Sequence, residues 1–581
     1  MSIISKPALK PDAELAPAPG TTPADLDRLL HDWQSHFTGG RSPSTVSLAF
    51  LDWAAHASNA PFQTAALGQT ALNQWRRLAA AAIGGEAAIT PPPGDNRFAH
   101  PAWRQRPYDL LTQAVLLGEE WWDSVVREPE GVSTPDKRMV AFTVRQWLDM
   151  MSPSNVLWLN PEVVDATRAT GGRNLAEGIG NFMRDQAGAQ DGSPETGGFT
   201  LGTDLAATSG KVVFRNALIE LIQYAPTTET VGAEPVLIVP AWIMKYYILD
   251  LSPGNSLIRW LVSQGRTVFA ISWRNPGKDM RDTSLDDYRA QGVMAAIDAV
   301  EAICGKAKIH ATGYCLGGTL LAIAAAAMAR DGDDRLASLS LFAAQTDFTE
   351  AGELQLFITE DQLCFLNDIM QTQGYLDSAQ MGGAFQMLRS NDLIWSHAIR
   401  DYMLGEQAAP FDLMAWNADG TRLPARMHIE YLRKLFLHNK LAEGRFSVTG
   451  RPVELGDVKL PMFVVSTEQD HIAPWRSVFK LHLLNDGKLT FVLTSGGHNA
   501  GIVSEPGHPH RHFRIRTREP GARTLGPDEW ENDTAPQDGS WWPQWEAWLR
   551  ERSGPPVKPP SMGAAGFEPL CDAPGQYVLE R

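Results

Sequence analysis

Cysteine is scarce in this chain, which has 4 in 581 residues. The four are widely separated and form no CxxC pair, so the sequence contains neither a disulfide framework nor the ligand spacing of a structural zinc site. Isolated thiols of this kind are typical of a reducing compartment, and we expect a cytoplasmic protein. The cysteines are Cys304, Cys315, Cys364 and Cys571.

Long apolar runs and an excess of basic residues are also missing. The longest apolar run, residues 320–329, is about half of the ~20 residues that cross a bilayer. The N-terminal stretch MSIISKPALKPDAELAPAPG has charges and prolines where a signal peptide needs a continuous apolar segment. With 51 Lys and Arg against 67 Asp and Glu, the formal charge is −16. We therefore expect no transmembrane segment, no secretion and no general binding of nucleic acid.

The pattern of apolar residues divides the chain into regions. Residues 1–25 are rich in proline and alanine and predict a flexible tail. Residues 26–198 have apolar residues at three- and four-residue spacing and predict a helical N-terminal domain. In residues 199–581, short apolar strands alternate with helical segments, which predicts an α/β fold with a parallel sheet covered on both faces. The strand signal disappears over residues 347–455, which we interpret as a cap inserted over the site.

One glycine-rich turn has the pattern of a catalytic nucleophile. The stretch KIHATGYCLGGTLLAIA places Gly313, Cys315 and Gly317 in G-x-C-x-G, between a predicted strand and a predicted helix. In a nucleophile elbow the nucleophile sits in such a sharp turn, and glycines avoid collisions with neighbouring backbone. Cysteine in place of the usual serine offers a thiol that a nearby imidazole converts to a thiolate. A buried structural cysteine in a glycine-rich turn is the alternative that the motif alone leaves open.

An elbow also needs a base and an acid that orients it. In α/β-hydrolases these follow in the order nucleophile, Asp, His. Asp470 follows the predicted strand PMFVVST and His498 follows LTFVLTS, so both lie beyond the carboxyl ends of strands, where open α/β sheets bind ligands. Singly, each has an ordinary turn or loop interpretation; in this order and context they predict a triad with Cys315. His471, next to Asp470, is interpreted as a structural or supporting residue.

The same fold predicts where an oxyanion hole forms. One donor is the backbone N–H of the residue after the nucleophile, which is Leu316, and the second comes from the loop after an earlier strand. That loop follows PVLIVPA and contains Trp242 and Ile243. The sequence leaves open which of these two residues donates.

Taken together, these motifs make the chain resemble the polyhydroxyalkanoate synthases, most closely the class I type that works as a single kind of subunit. The resemblance implies an α/β-hydrolase catalytic domain with a cap, preceded by a helical domain. It also implies a homodimer at the surface of cytoplasmic polyester granules. It implies no cofactor and no metal, since the coenzyme A thioester is itself the substrate. The resemblance runs from about Asn96 to the C-terminus, through RFAHPAW, RQWLDMMSPSN, VVFRN, KYYILDLSP, TVFAISWRNP, GYCLGG, EQDHIAPW, GSWWPQWEAWL and APGQYVLER.

The functional residues of the family carry over to single positions of this chain. The nucleophile falls on Cys315, the general base on His498 and the triad aspartate on Asp470. The resemblance implies that Cys315 attacks the thioester of a 3-hydroxyacyl-CoA and releases coenzyme A. The chain then grows when the 3-hydroxyl of another acyl unit, deprotonated with help from His498 and Asp470, attacks the bound acyl group. We therefore predict an acyltransferase that polymerises (R)-3-hydroxyacyl-CoA into polyester. The acyl chain length depends on the pocket that cap and core form together, and the sequence does not set it.

Two stretches depart from the family pattern. The family usually has PP-x-I-N-K-Y-Y where this chain reads PAWIMKYY, from Pro240 to Tyr247. It commonly has GHIAGVINPP where this chain reads GHNAGIVSEP, so that Asn499 follows His498 in place of isoleucine. Both changes leave the three triad residues in place. They leave open whether the chain is a main synthase or an auxiliary paralogue.

Two other functions compete with the synthase. A Cys-dependent acyl-CoA thioesterase or polyester depolymerase would share the triad but admit water. A non-catalytic granule protein would bind polyester or partner synthases through tryptophans, of which there are 19, but it would need none of the triad residues. Trp541, Trp545 and Trp548 share one face of a predicted C-terminal helix, and we expect them to pack on the core.

A histidine- and arginine-rich stretch, GHPHRHFRIRTR, has two interpretations. Its histidines are surrounded by arginines that oppose a cation, so we expect no metal there. Its arginines attract the phosphates of coenzyme A in one interpretation and belong to a solvated surface strand in the other. The residues concerned are His508, His510, His512, Arg511, Arg514, Arg516 and Arg518.

Overall fold

The computed structural model describes residues 42–92, 95–191, 198–378, 380–383, 390–407 and 409–581, with isolated positions between 27 and 35. The tail predicted for residues 1–25 lies outside the described residues. The chain forms two compact units. The first comprises residues 1–194 and 380–409, and the second comprises residues 195–379 and 410–581.

The first unit is helical, as the spacing of apolar residues predicts. Proline in the first turn starts several of the helices, because its missing N–H has no acceptor there anyway. Ser133 and Asn160 cap two helices with their side chains, and Gly171 ends one in the left-handed conformation. The helices are α1 (Pro43–Ser58), α2 (Pro61–Ala82), α3 (Tyr108–Arg127), α4 (Thr134–Met150), α5 (Pro161–Thr170) and α6 (Arg173–Asp191).

A buried ion network holds the first unit together. Arg97, in the RFAHPAW stretch, is 8% exposed and lies 2.6 Å from Glu119 and 2.7 Å from Asp95. Burial alone lowers the pKa of a guanidinium, but the two carboxylates outweigh it and raise the pKa of Arg97. Because a buried charge without a partner is costly, removing either carboxylate destabilises this unit.

The second unit is built on an 11-stranded sheet. Its order is β10-β9-β8-β7-β6-β5-β3-β4-β2-β1-β11. Strands β4, β3, β5, β6, β7 and β8 are parallel neighbours, and the outer strands pair antiparallel. The strands are β1 (Gly210–Arg215), β2 (Ile219–Tyr224), β3 (Val236–Val239), β4 (Val268–Trp273), β5 (Ile309–Tyr314), β6 (Leu336–Phe342), β7 (Met462–Thr467), β8 (Leu489–Thr494), β9 (His512–Arg518), β10 (Gln537–Asp538) and β11 (Cys571–Asp572).

Helices cover this sheet, so its central strands are buried on both faces and read as continuous apolar runs. Within the described residues, no helix is long and apolar enough to span a membrane. The helices of this unit are α7 (Leu257–Ser263), α8 (Leu285–Asp287), α9 (Ala295–Cys304), α10 (Leu316–Asp331), α11 (Glu360–Gln373), α12 (Asp412–Ala418), α13 (Ala425–Tyr431), α14 (Trp475–Phe479), α15 (Leu481–Leu484), α16 (Pro527–Asp533) and α17 (Trp542–Arg550).

The segment predicted as one cap, residues 347–455, is divided between the two units. Residues 347–379 and 410–455 belong to the second unit and supply α11, α12 and α13. Residues 380–409 belong to the first unit, where the Asn174 and Asn181 side chains donate to backbone carbonyls of this segment at 2.8 Å. The carbonyls concerned are those of Asp401 and Met403, which are thereby paired with α6, and the cap over residues 347–455 stays a prediction. The other domain limits stay predictions.

The C-terminal aromatic helix packs on the core, as predicted. Trp541 and Trp545 are 0% exposed and Trp548 is 6% exposed. Trp541 and Trp545 each lie 4.9 Å from the ring of Phe342 in β6. Edge-on contacts of this kind, together with the large area buried, fix α17 against the sheet.

Candidate active site

Cys315 occupies the turn between the end of β5 and the start of α10. Its backbone has φ 52° and ψ −123°, a conformation that non-glycine residues rarely adopt. The strand, the strained residue and the helix reproduce the nucleophile elbow that the G-x-C-x-G pattern predicts. The turn presents Cys315 at the carboxyl end of the parallel strands.

The glycines of the elbow are required by close packing. A Cβ atom on Gly317 would lie 2.2 Å from the Val239 carbonyl oxygen and 2.4 Å from that of Pro240. A Cβ atom on Gly313 would lie 2.4 Å from the Cα of Gly318. The first turn of α10 thus packs directly against the end of β3, so the loop that follows β3 lies beside Cys315.

Asp470 follows β7 and is held in place by several donors. Its Oδ1 accepts the backbone N–H groups of Ile472 at 2.9 Å and Ala473 at 2.8 Å. Its Oδ2 accepts the Thr467 hydroxyl at 3.2 Å and the Nδ1–H of His498 at 2.7 Å. Burial alone raises the pKa of a carboxyl, but the charge and the hydrogen bond of His498 and the two backbone donors outweigh it and lower the pKa of Asp470.

His498 follows β8 and links Asp470 to Cys315. Burial opposes charging of its imidazole, but the Asp470 carboxylate and the Cys315 sulfur outweigh burial and raise the pKa of His498 well above its usual value. A hydrogen bond to each of these side chains adds to the effect. The imidazole that lies between the two other predicted triad residues is therefore that of His498 and not that of His471, the residue after Asp470.

The predicted oxyanion donors belong to the elbow and to the loop after β3. Leu316 is the first residue of α10, so its N–H belongs to the first-turn groups that have no acceptor within the helix. In the loop after β3, the Trp242 carbonyl accepts the Thr421 hydroxyl at 2.6 Å, and the Ile243 carbonyl accepts the Thr421 N–H at 3.4 Å. Thr421, from the predicted cap, thereby orients the peptide group that carries the Ile243 N–H and the one that follows it.

A cluster of aromatic residues lies near the nucleophile, and sequence reasoning missed all of them except Trp242. Tyr431 ends α13 of the cap, and burial and the charge of Cys315 raise the pKa of Tyr431 well above its usual value. Its ring lies 6.4 Å from Trp242, 6.5 Å from Phe348 and 5.4 Å from Phe436. All four side chains are buried. Only the folded chain brings them together, because they come from three segments, of which one holds both Tyr431 and Phe436.

The loop after His498 is anchored by residues whose role the sequence did not indicate. The indole N–H of Trp541 donates to the Gly501 carbonyl at 3.0 Å, and that of Trp542 donates to the Ile502 carbonyl at 3.0 Å. The Tyr314 hydroxyl donates to Oδ1 of Asn499 at 2.6 Å. The departure from the family pattern at Asn499 was the one available signal.

The arginines of the 511–518 stretch include two that hold the chain together. Arg518, on β9, donates to the carbonyls of His482 at 2.5 Å, Asn485 at 2.6 Å and Gly487 at 2.9 Å. Arg514 donates to the Thr534 carbonyl. Both guanidinium groups therefore serve the packing of β9, which favours the structural interpretation over phosphate binding for these two.

The histidines of the same stretch make separate contacts. Nε2 of His512 lies 3.1 Å from Glu468, and Nδ1 of His508 lies 2.8 Å from the Pro509 carbonyl. Across the part of the chain that the structure describes, no group of three or more His, Cys, Asp or Glu side chains is arranged to hold a metal ion.

Comparison with known proteins assigns the family. Residues 94–261 match the poly-beta-hydroxybutyrate polymerase N-terminus, residues 21–63 match a second N-terminal region of that polymerase, and residues 234–505 match the alpha/beta hydrolase fold. Among solved structures, a monoacylglycerol lipase of Paleococcus ferrophilus is 14% identical with a TM-score of 0.33, covering 58% of this chain and 99% of its own.

Several curated proteins are similar over most of their length. The poly(3-hydroxyalkanoate) polymerase of Methylorubrum extorquens is 43% identical over 498 residues, 85% of this chain and 82% of that protein. The polymerase subunit PhaC of Rhizobium meliloti is 39% identical, covering 84% of this chain and 80% of that protein, and that of Cupriavidus necator is 34% identical, covering 96% and 95%. The predicted resemblance and the α/β-hydrolase fold are therefore confirmed, and the chain belongs to the poly(3-hydroxyalkanoate) polymerase family.

Proposed function

We propose that this chain polymerises 3-hydroxyacyl groups from coenzyme A thioesters into polyester, with Cys315 as the nucleophile that carries the acyl chain. The observation that carries the proposal is the linked arrangement of Cys315, His498 and Asp470 at the elbow of a chain of the polymerase family. Asp470 orients the imidazole through the 2.7 Å hydrogen bond to Nδ1, which leaves the other ring nitrogen for the thiol.

The first step is acylation of Cys315. His498 takes the thiol proton, and the sulfur attacks the thioester carbonyl of the 3-hydroxyacyl-CoA. A bond forms between the Cys315 sulfur and the acyl carbon, the bond between that carbon and the coenzyme A sulfur breaks, and coenzyme A leaves as a thiol with the proton from His498. Because one thioester replaces another, the step costs little free energy.

The second step is chain growth. The 3-hydroxyl of another acyl unit attacks the acyl carbon held by Cys315, and His498, oriented by Asp470, accepts the hydroxyl proton. An ester bond forms, the carbon–sulfur bond to Cys315 breaks, and the proton returns to the sulfur. Cys315 then attacks the thioester of the lengthened acyl-CoA, so that coenzyme A leaves as a thiol and the chain is again attached to Cys315. The conversion of a thioester to an ester drives this step.

Each step passes through a tetrahedral intermediate that carries a negative oxygen. We assign its stabilisation to the N–H of Leu316 and to one N–H of the loop after β3, from Trp242 or Ile243. The close packing of Gly317 on Val239 and Pro240 supports this assignment, because it brings the loop to the elbow.

The surroundings of Cys315 favour transfer to a hydroxyl over hydrolysis. Burial raises the pKa of the Tyr431 hydroxyl, and this side chain lies near enough to the Cys315 sulfur for the charge there to raise that pKa further. Tyr431 packs in a buried aromatic cluster with Trp242, Phe348 and Phe436. Apolar rings beside the sulfur disfavour the ordered water that a thioesterase or depolymerase requires, which supports the polymerase over that alternative.

We further propose that the reaction uses no metal or other cofactor, because thiol, imidazole and thioester supply all the chemistry of both steps. We propose that the chain acts as a homodimer in the cytoplasm, at the surface of the polyester granule that it makes. The resemblance to single-subunit synthases supports the dimer, and an insoluble product that stays attached to Cys315 supports the granule surface.

The decisive experiment measures coenzyme A release from 3-hydroxybutyryl-CoA, with the products separated into free acid and insoluble polyester. We expect wild type to make polyester and Cys315→Ala to lower the rate by about 10³-fold or more, because the acyl carrier is removed. Cys364→Ala is the matched control, since Cys364 is exposed and lies outside the elbow; it should retain the wild-type rate. Free acid as the only product of the wild type would instead identify a thioesterase.

A further inference from the structure

The loop that carries His498 lies beyond the end of β8, and contacts from other elements hold it in position. The indole groups of Trp541 and Trp542 hold its distal part through the carbonyls of Gly501 and Ile502. Near the imidazole itself, the contact is made by Asn499, the next residue along the chain. Its partner is Tyr314, the residue immediately before Cys315.

Tyr314 contacts both the base and the residue that follows it. Its ring lies 5.7 Å from the His498 ring at an interplanar angle of 37°, and its hydroxyl donates to Oδ1 of Asn499 at 2.6 Å. Tyr314 is 2% exposed, and burial together with the charges of Cys315 and Asp470 raises its pKa well above the usual value. The hydroxyl therefore stays protonated and remains a hydrogen-bond donor across the pH range in which the protein works.

The hydrogen bond between Tyr314 and Asn499 is placed where it can affect the reaction. Tyr314 precedes the nucleophile by one residue and Asn499 follows the base by one residue, so the bond ties together the two backbone segments whose separation sets the distance from sulfur to imidazole. The family commonly has isoleucine at the position of Asn499, and an isoleucine side chain has no acceptor for the tyrosine hydroxyl. The contact is thus a feature of this chain.

We propose that the Tyr314–Asn499 hydrogen bond is a positioning contact that holds the His498 loop against the nucleophile elbow, which makes Asn499 a positioning residue for the base. This inference rests on the proposed function, because it assumes that His498 serves Cys315 as a base. Neither residue exchanges a proton with substrate. Their effect reaches the reaction through the placement of the imidazole, which both acylation and chain growth require.

The test is a double-mutant cycle in the full-length protein: wild type, Tyr314→Phe, Asn499→Ile and the double variant. Coenzyme A release from 3-hydroxybutyryl-CoA gives kcat and KM. Each rate is divided by the concentration of active sites, which is the amount of Cys315 that iodoacetamide alkylates, measured by peptide mass spectrometry. We expect each single variant to lower kcat by roughly tenfold, within the ~100-fold that a small misplacement of reacting groups produces. KM should stay within about twofold, and the double variant should be no slower than the slower single variant, because one bond is lost in every case.

A matched control separates the loss of positioning at the active site from the effect of removing any tyrosine hydroxyl that donates to a side chain. Tyr402, in the first unit, donates to Asp185 at the same 2.6 Å, and Tyr402→Phe should leave kcat unchanged. The inference is overturned by an unchanged kcat in either single variant, by losses that multiply in the double variant, or by an equal loss in Tyr402→Phe. Failure of the proposed function has a different signature, namely a wild type that releases no coenzyme A or makes only free acid.

Discussion

Strand β5 has a buried histidine near its start and the nucleophile just past its end. The pKa of a buried histidine is shifted in opposite directions at these two ends of the sheet. His310, at the amino end, bonds the Ser338 hydroxyl at 2.7 Å and the Ser553 hydroxyl at 3.2 Å. Burial, with smaller contributions from Arg266 and Arg552, lowers the pKa of His310 to about 3. At the carboxyl end, His498 is also buried, yet its pKa is raised.

The difference shows that the direction in which the pKa of a buried imidazole shifts is decided by its partners and not by burial alone. Both rings lose water, which disfavours the charged form in each case. The hydroxyls beside His310 are neutral and leave this penalty in place, so His310 stays uncharged and serves packing. The carboxylate and sulfur beside His498 overcome the penalty, so His498 can take up a proton and pass it on within each step of the reaction.

The sharpest test of this comparison replaces each histidine in turn. We expect His498→Gln to lower kcat for coenzyme A release by about 10³-fold, because proton transfer by a positioned side chain contributes about 10²–10⁴-fold. His310→Gln should keep kcat within about twofold of wild type, since it lies at the other end of β5. Equal losses of kcat in folded samples of the two variants would contradict the separation of the two ends.

A smaller effect is expected from a change that strains only the carboxyl end. Gly317→Ala would place a Cβ atom 2.2 Å from the Val239 carbonyl, so either α10 or the loop after β3 must move. We expect kcat to fall by roughly 10–100-fold, with a loss of about 1–3 kcal/mol in the free energy of unfolding from overpacking. Gly254→Ala is the control, because its Cβ would meet nothing within 4 Å. Wild-type kcat in Gly317→Ala would show that the β3 loop is not part of the site.

The smallest effect concerns the dependence of stability on pH. The pKa of His310 is about 3 in the folded chain, against a usual value of 6.5. Between these pH values the unfolded chain binds a proton that the folded chain does not, so stability falls as pH falls below 6.5. Between pH 7 and pH 5 this amounts to about 2 kcal/mol.

Urea denaturation at the two pH values, in wild type and His310→Gln, measures this contribution. We expect the variant to lose about 2 kcal/mol less than wild type over the interval, because glutamine does not titrate. An identical loss in the two proteins would mean that His310 takes up a proton in the folded chain, and the contrast with His498 would disappear.

Much of the fold and of the candidate site follows from the sequence. The parallel strands, the helical N-terminal region and the elbow are local patterns, in which apolar spacing and two glycines directly determine backbone structure. Asp470 and His498 were found because each follows a strand, and parallel strands end at one edge of the sheet. Their roles, like that of Cys315, stay predictions until the variants are measured.

Other parts of the site could not be found in this way. The bonds of Asp401 and Met403 to α6, the packing of Tyr431 against Trp242, and the use of Trp541 and Trp542 as anchors all join segments far apart in the chain. Arg518 shows the same limit: its sequence context is equally typical of a phosphate-binding side chain, and only its three carbonyl acceptors reveal a structural role.

By itself, then, the sequence determined the class of the fold, the nucleophile's turn and the order of the residues around it, because these depend on neighbours within a few positions. The tertiary structure alone decided the opposite pKa shifts of His310 and His498, the aromatic cluster around Tyr431 and the Tyr314–Asn499 contact. The physical reason is that desolvation, charge and hydrogen bonding act through space, between side chains that only the completed fold brings within a few ångströms of each other.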